Sequence, residues 1–419
     1  MNSASKVTSS YWAPFSTAED FIELPEIVRG SGLRIYDDED RAYLDGISGS
    51  YNHSLGHSHE GLIDAISQQL QTLVHACNMN SNTKLPQQLA GRLQEKFDCP
   101  ELQHTLLVSS GSEGVEAAIK LAWFYQSNLG RENRKKIVSI RGAYHGCTLG
   151  AMIATQRDFI TVGIPTVTDQ YSIAMPLPKT ADDVEAWASM LKKHEQDIAA
   201  VIVEPVMGME GSYELPSGFL EKLSVVLQEH DILLIADEVY CGVGRTGFFC
   251  ESESQNAQPD IVIFSKGLGG GFPIATVTAH EKIYASFERT EMPFFRHGHT
   301  QSGNLLGCTA ALYLLEYLDQ NDVYQQVQVK GKRLLRSLKL ALSKQPSVKA
   351  IRGKGLMISV SFASMELCRQ AQLLARRHGL VLGSASANLK VSPSLLISDN
   401  DINEIVSIIQ RSVEELAPI

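Results

Sequence analysis

The sequence predicts an α/β protein: a large unit built on a mostly parallel sheet with helices on both faces, and a smaller α+β unit. Three observations predict it. Six short, continuous apolar runs recur between residues 105 and 279. Amphipathic stretches of helical period separate several of them, the alternation of a parallel sheet covered on both sides. Beyond about residue 305 the rhythm gives way to longer helices. A chain of 419 residues suits two lobes better than one or three.

Taken in order, the first 35 residues are irregular and polar around the apolar island YWAPF (11–15). LRIY and RAYL (33–36 and 41–44) read as two short strands about the polar turn DDED. GLIDAISQQLQTLV (61–74) sets Leu62, Ile66, Leu70, Leu73 and Val74 at helical spacing. TLLV (105–108), KIVSI (136–140), AAVIVE (199–204), ILLIA (232–236), IVIF (261–264) and IATVTA (274–279) read as buried strands. GVEAAIKLAWFY (114–125), VEAWASMLKKHE (184–195) and FLEKLSVVLQEH (219–230) read as the helices among them. LLGCTAALYLLEYL (305–318) is a strongly apolar helix, followed by one with a basic outer face over 325–343. LMISVSF (356–362) reads as a strand, with helices over 365–378 and 400–415. The expected boundaries are an N-terminal segment, 1–60, contributing to a small domain, a large domain, 61–300, and a C-terminal small domain, 301–419.

With 37 basic and 47 acidic residues the net charge is −10, which argues against non-specific binding to nucleic acid or acidic lipid, since both need a basic face. The opening MNSASKVTSSYW has no apolar core for a signal peptide, and no run reaches the roughly 20 apolar residues of a membrane span. Seven scattered cysteines without a C-x-x-C pair argue against a disulfide framework or structural zinc. The expectation is a cytoplasmic protein without a metal. Two H-x-H pairs, His57/His59 and His297/His299, lie beside glycines with no third ligand at useful spacing.

In a sheet of this kind ligands bind beyond the carboxyl ends of the strands. Four ends are unusual: TLLV closes on SSGSEG (109–114), KIVSI leads to Tyr144 and His145, ILLIA closes on Asp237 and Glu238, and IVIF closes on Ser265 and Lys266. As parallel neighbours they would face one crevice. The strand–loop–helix at 109–114 offers the amides of Gly111 and Ser112 to an anion, or is a plain serine cap with Glu113 in the first turn. Lysine at the end of a buried strand is costly as an unpaired ammonium; uncharged, it is a nucleophile for carbonyls. The alternative is a surface lysine at a turn. Gly267, Gly269, Gly270 and Gly271 would let the backbone approach a ligand. Asp237 needs a cationic partner, a protonated pyridine nitrogen or an ordinary Lys or Arg. One cofactor uses all these parts: pyridoxal 5′-phosphate, with an aldehyde for Lys266, a ring nitrogen for Asp237, a flat ring for Tyr144 and a phosphate for Gly111 and Ser112.

The stretches YLDGISG, LGHSHEGLIDAISQQL, SGSEGVEAAIKLA, AYHGCTLGAM, VEPVMG, ADEVYCGVGRTG, SKGLGGGFPIATV, HGHTQSGNLLGCTAAL and VSPSLLI, in this order, resemble the class III aminotransferases of fold type I. This group includes ornithine, acetylornithine, 4-aminobutyrate, omega-amino acid and diaminopelargonate aminotransferases. The resemblance implies a mostly parallel, seven-stranded sheet and a small α+β domain. It implies that Lys266 forms the Schiff base with the cofactor and moves the substrate proton, and that Asp237 pairs the ring nitrogen. Val239 and Tyr144 would flank the ring, with His145 and Glu204 near it and Gly111 and Ser112 on the phosphate. Thr300 would reach the phosphate from the neighbouring subunit, so the resemblance implies a homodimer whose active sites are shared. Trp12 and Tyr51 would be walls of the substrate pocket.

Two departures bear on substrate. Where ornithine-type members carry a glutamate that gates an arginine, this chain has Met209; where many members grip a carboxylate with arginine, it has Lys390, a point charge without the planar fork. The implied activity is a ping-pong transfer of an amino group from an amine or omega-amino acid to a 2-oxo acid, aldehyde or ketone. The alternatives are an aminomutase of the same fold, a nucleotide-binding protein using the glycine loops, and a non-catalytic scaffold.

Overall fold

The computed structural model describes residues 10–164, 170–288 and 290–416. Residues 1–9 of the N-terminal segment read from the sequence lie outside them. The large sheet has seven strands in the spatial order Leu102–Val108, Ala275–His280, Ile261–Phe264, Leu233–Asp237, Ile198–Val203, Lys136–Ile140, Ser172–Met175. All run parallel except Ala275–His280, which pairs antiparallel with both neighbours. Six of these strands correspond to the apolar runs; Ser172–Met175, half-buried at the sheet edge, carries no such signal.

Alternate side chains leave opposite faces of the sheet. Ile137, Ile202, Ile235, Ile263 and Val277 pack with Val115, Ala118, Ile119 and Ala122 of helix Gly111–Asn128. Val138, Val201, Val203 and Leu234 pack with Trp187 and Leu191 of helix Val184–Lys193, and with Phe219 and Leu223 of helix Phe219–Glu229. Each such side chain, fully buried, contributes roughly 1.5–3 kcal/mol. Trp123, on the same helix, is half-buried and donates its Nε1 to the Lys135 carbonyl at 2.8 Å.

Strands Ile27–Ser31, Arg34–Asp37 and Ala42–Asp45 form an antiparallel sheet whose last strand takes Leu380–Val381 in parallel. A second C-terminal sheet, Val348–Lys354, Met357–Phe362, Asn388–Val391 and Gly383–Ala385, is antiparallel throughout. Helix Leu305–Gln320 leans on helices Glu60–Thr72 and Lys84–Gln94 and on the turn that begins at Lys266. Residues on both sides of position 300 thus share one apolar core.

The four strands singled out in the sequence are parallel, but only two of them, Leu233–Asp237 and Ile261–Phe264, are neighbours. The antiparallel strand separates Val108 from Phe264, and Ile198–Val203 separates Ile140 from Asp237. Strand adjacency brings Asp237 and Lys266 together, and the loops after the other two strands bring in the rest.

Candidate active site

Strand Ile261–Phe264 is buried along its whole length and delivers the chain through Ser265 to Lys266. Lys266 has φ +44°, the left-handed region that costs a non-glycine residue roughly 1–2 kcal/mol. Its Nζ lies 5.6 Å from the centre of the Tyr240 ring and 5.9 Å from that of Tyr51. Burial pulls the ammonium below its ordinary range, against the charges of Asp237 and Glu204, so the uncharged amine gains population. The glycines that follow do not clear space for a ligand alone. A Cβ on Gly267 would meet Ser54 Oγ at 2.6 Å, and that hydroxyl donates to the Gly267 carbonyl at 3.0 Å.

Asp237, 4% exposed, ends its strand facing His145. Its Oδ2 is 2.7 Å from His145 Nδ1, and its Oδ1 accepts the Val239 amide at 3.1 Å. A carboxylate only accepts, so Nδ1 carries the proton. The other imidazole nitrogen, Nε2, is buried without a partner among the described residues. His145 thus backs the carboxylate.

Glu204 follows strand Ile198–Val203 and accepts two amides, from Tyr144 at 3.0 Å and from Gly208 at 2.9 Å. Burial raises its carboxyl above the usual range. Tyr144 is half-buried, its phenol pushed up to about 12 by burial and by neighbouring Cys147. Ser112 Oγ accepts the Cys147 amide at 3.3 Å, which ties the turn after His145 to the start of helix Gly111–Asn128. That helix begins at Gly111, three residues before the sequence pattern suggests. Ser110 caps it through the Glu113 amide, leaving the amides of Gly111 and Ser112 without an acceptor among the described residues. A Cβ on Gly111 would come within 2.8 Å of Val239 Cγ1, so only glycine lets this helix start lie against Val239.

The remaining sequence candidates scatter. Tyr51, at φ +74°, packs against Tyr240 with ring centres 3.9 Å apart and the planes tilted by 41°, and burial pushes its phenol to about 12. Trp12 is 94% exposed. Thr300 is exposed on a loop whose neighbours are moored to the chain's own helix Gly111–Asn128: Lys120 Nζ donates to the Arg296 carbonyl and contacts His297, and His299 Nε2 lies 3.6 Å from Glu113. Lys390 is 1% exposed. Its Nζ donates to the Gly208 carbonyl, 5.6 Å from the Tyr240 ring centre, and burial lowers it to about 7.

Three residues escaped the sequence reading. Tyr240 is sandwiched by Tyr51, Lys266 and Lys390, with its hydroxyl 2.8 Å from Ser392 Oγ. Its position three residues after Asp237 was the available signal. Arg157 and Glu210 form an ion pair at 2.7 Å, which nothing in their loop sequences announces. Among the described residues no group of His, Cys, Asp and Glu is gathered that could hold a metal ion.

A buried carboxylate at one strand end, a depressed lysine amine at another and two free helix amides fit a flat, aldehyde-bearing heterocycle with a phosphate. Residues 17–413 match the family model for aminotransferase class-III. An acetylornithine aminotransferase of Caldanaerobacter subterraneus is 33% identical over 93% of this chain and 95% of its own length. A gamma aminobutyrate transaminase of Solanum lycopersicum is 29% identical over 96% and 94%. An (S)-enantioselective omega-transaminase of Thermomicrobium roseum superposes with a TM-score of 0.91 at 29% identity, covering 96% of each chain. The Pseudomonas jessenii omega transaminase in complex with PMP superposes at 0.90 with 28% identity, over 97% of this chain and 96% of that one. The chain belongs to the class-III aminotransferase family, and is an enzyme that transfers amino groups with pyridoxal 5′-phosphate.

Proposed function

We propose that the chain takes an amino group from an amine or omega-amino acid and passes it to a 2-oxo acid, aldehyde or ketone, with the residues assigned as follows. Bound, pyridoxal 5′-phosphate supplies an aldehyde and an electron-accepting ring. The Gly111 and Ser112 amides take its phosphate at the positive end of their helix. The Asp237 carboxylate, held by His145, keeps a proton on the ring nitrogen. Val239 and Tyr144 would flank the ring, and Glu204 fixes Tyr144 through its amide. Lys266 Nζ would hold the aldehyde, and as a free amine it would take the proton from the carbon bearing the donor's amino group. The observation that carries this reading is that Asp237 and Lys266 stand at the ends of two adjacent parallel strands, with Asp237 held by His145 at 2.7 Å.

A homodimer completes the reading. Thr300 is exposed on a moored loop, and exposed apolar residues on and after helix Glu60–Thr72 (Ile63, Leu70, Leu73 and Met79) favour an interface. Trp12 would wall a pocket only against such a neighbour or a substrate, with Tyr51 on the inner side. All seven cysteines are free, which suits a reducing cytosol.

The test is a donor–acceptor screen of the cofactor-loaded protein with a nitrogen-labelled amine. Label appearing in a different molecule is the expected result. Label returning only to another carbon of the donor itself would mean an aminomutase, and no transfer at all would end the reading.

A further inference from the structure

Four successive residues run left-handed: φ is +45° at Ser48, +55° at Gly49, +59° at Ser50 and +74° at Tyr51. Only Gly49 adopts that region freely; the other three are strained there. Strain of this kind persists only where the surroundings hold it, and it gathers at functional sites.

The holding group is Asp45, which ends strand Ala42–Asp45 with its side chain 3% exposed. Its Oδ1 accepts the Ile47 amide at 3.1 Å. Its Oδ2 accepts the Gly49 amide at 2.8 Å and lies 2.8 Å from His57 Nε2. A carboxylate only accepts, so Nε2 carries the proton. One buried carboxylate thus gathers three donors, and two of them are amides leading into the left-handed run. His57, from the first H-x-H pair, backs that carboxylate. On the other side Ser48 Oγ donates to the Ser392 carbonyl at 2.7 Å and accepts Arg245 Nη2 at 3.3 Å.

What the turn delivers is Tyr51. Its ring centre is 3.9 Å from that of Tyr240, and Lys266 Nζ lies 5.9 Å from the one and 5.6 Å from the other. Just beyond it, Ser54 Oγ donates to the Gly267 carbonyl at 3.0 Å, so the end of the turn is tied to the residue after Lys266. A turn released to negative φ would swing the Tyr51 ring away from Tyr240 and from the amine.

We propose that Asp45 is a positioning residue of the amino-transfer site: by holding the Ile47 and Gly49 amides it keeps the left-handed turn wound and sets the Tyr51 ring beside Lys266, where the ring bears on the substrate. This rests on the aminotransferase reading, which makes Lys266 the reacting amine. Asp45 acts only through Tyr51.

The experiment pairs hydrogen exchange with a double-mutant cycle on the cofactor-loaded enzyme. Asp45→Asn offers one acceptor where the two amides use two. Amides of the segment 46–54, followed by mass spectrometry, exchange at least roughly tenfold faster, the scale of one lost hydrogen bond to a charged group. With n-butylamine as donor and pyruvate as acceptor, the KM for the amine rises roughly tenfold while kcat changes less. Tyr51→Ala raises the same KM, and in that background Asp45→Asn adds nothing further. Should Asp45→Asn not fold, His57→Gln loosens the same carboxylate from behind and is read by the same cycle. The proposal is overturned if the KM effect is equal with and without the Tyr51 side chain, as independent structural damage would make it, or if exchange over 46–54 is unchanged. A wild-type enzyme that moves no amino group sinks the aminotransferase reading instead; the exchange rates then still decide whether Asp45 holds the turn.

Discussion

The Nδ1 of His145 lies 2.7 Å from Oδ2 of Asp237, with the two side chains 0% and 5% exposed. The residues are 92 positions apart: Asp237 ends one strand, and His145 lies on the loop after another that does not touch it. A buried carboxylate with one hydrogen-bonded oxygen pair and a strand-end location is poised to hold a proton on a ligand atom, and the imidazole keeps it from rotating away.

Asp237→Asn removes the charge while preserving the shape. Turnover falls roughly 10²–10³-fold, the scale of one lost preorganised electrostatic contact. His145→Asn leaves the charge and loosens its hold, costing roughly 10–100-fold, the scale seen for outer partners. It also moves the pH at which the bound cofactor's absorbance band changes, which a purely structural loss would not do. Titrating the band in both variants checks this; equal bands with unequal rates would argue against the assignment.

Gly111→Ala places a methyl group 2.8 Å from Val239 Cγ1. Overpacking of this kind costs about 1–3 kcal/mol, and here it falls on the seat of the phosphate. The cofactor dissociation constant rises roughly tenfold. Gly91→Ala, in open space on helix Lys84–Gln94, is the control and leaves that constant alone. Equilibrium dialysis of the cofactor against both variants tests it.

Much of this was legible beforehand, for a physical reason. Lys266 and Asp237 sit where continuous apolar strands end, and a charged residue there breaks the pattern. The segments Lys84–Gln94 and Asn388–Val391 were not read as a helix and a strand. The first contains Pro86 and few apolar positions, and the second is four residues long. The His145–Asp237 contact joins a loop to a distant strand end and the Arg157–Glu210 pair joins distant loops, and a loop's charges look solvated until the fold encloses them. Lys390 shows the converse: its motif pointed to a substrate contact, yet the fold turns its amine onto the Gly208 carbonyl.

Folding lowers the Lys390 amine from 10.5 to about 7, chiefly by burial. Between those values the unfolded chain binds more protons than the folded one, so stability due to this group rises with pH across the window. Below about pH 7 the cost of burying the charge is complete. Lys390→Met therefore raises Tm at pH 6 by roughly 2 °C or more, and by less at pH 9. Thermal melts at the two pH values decide; an equal gain at both would mean that the amine stays protonated in the folded chain.

The account stands or falls on Lys266. Borohydride treatment of the cofactor-loaded protein, followed by digestion and mass spectrometry, should find one reduced pyridoxyl group, on the peptide carrying Lys266. An adduct on Lys390 instead, or no adduct on any lysine, would contradict it.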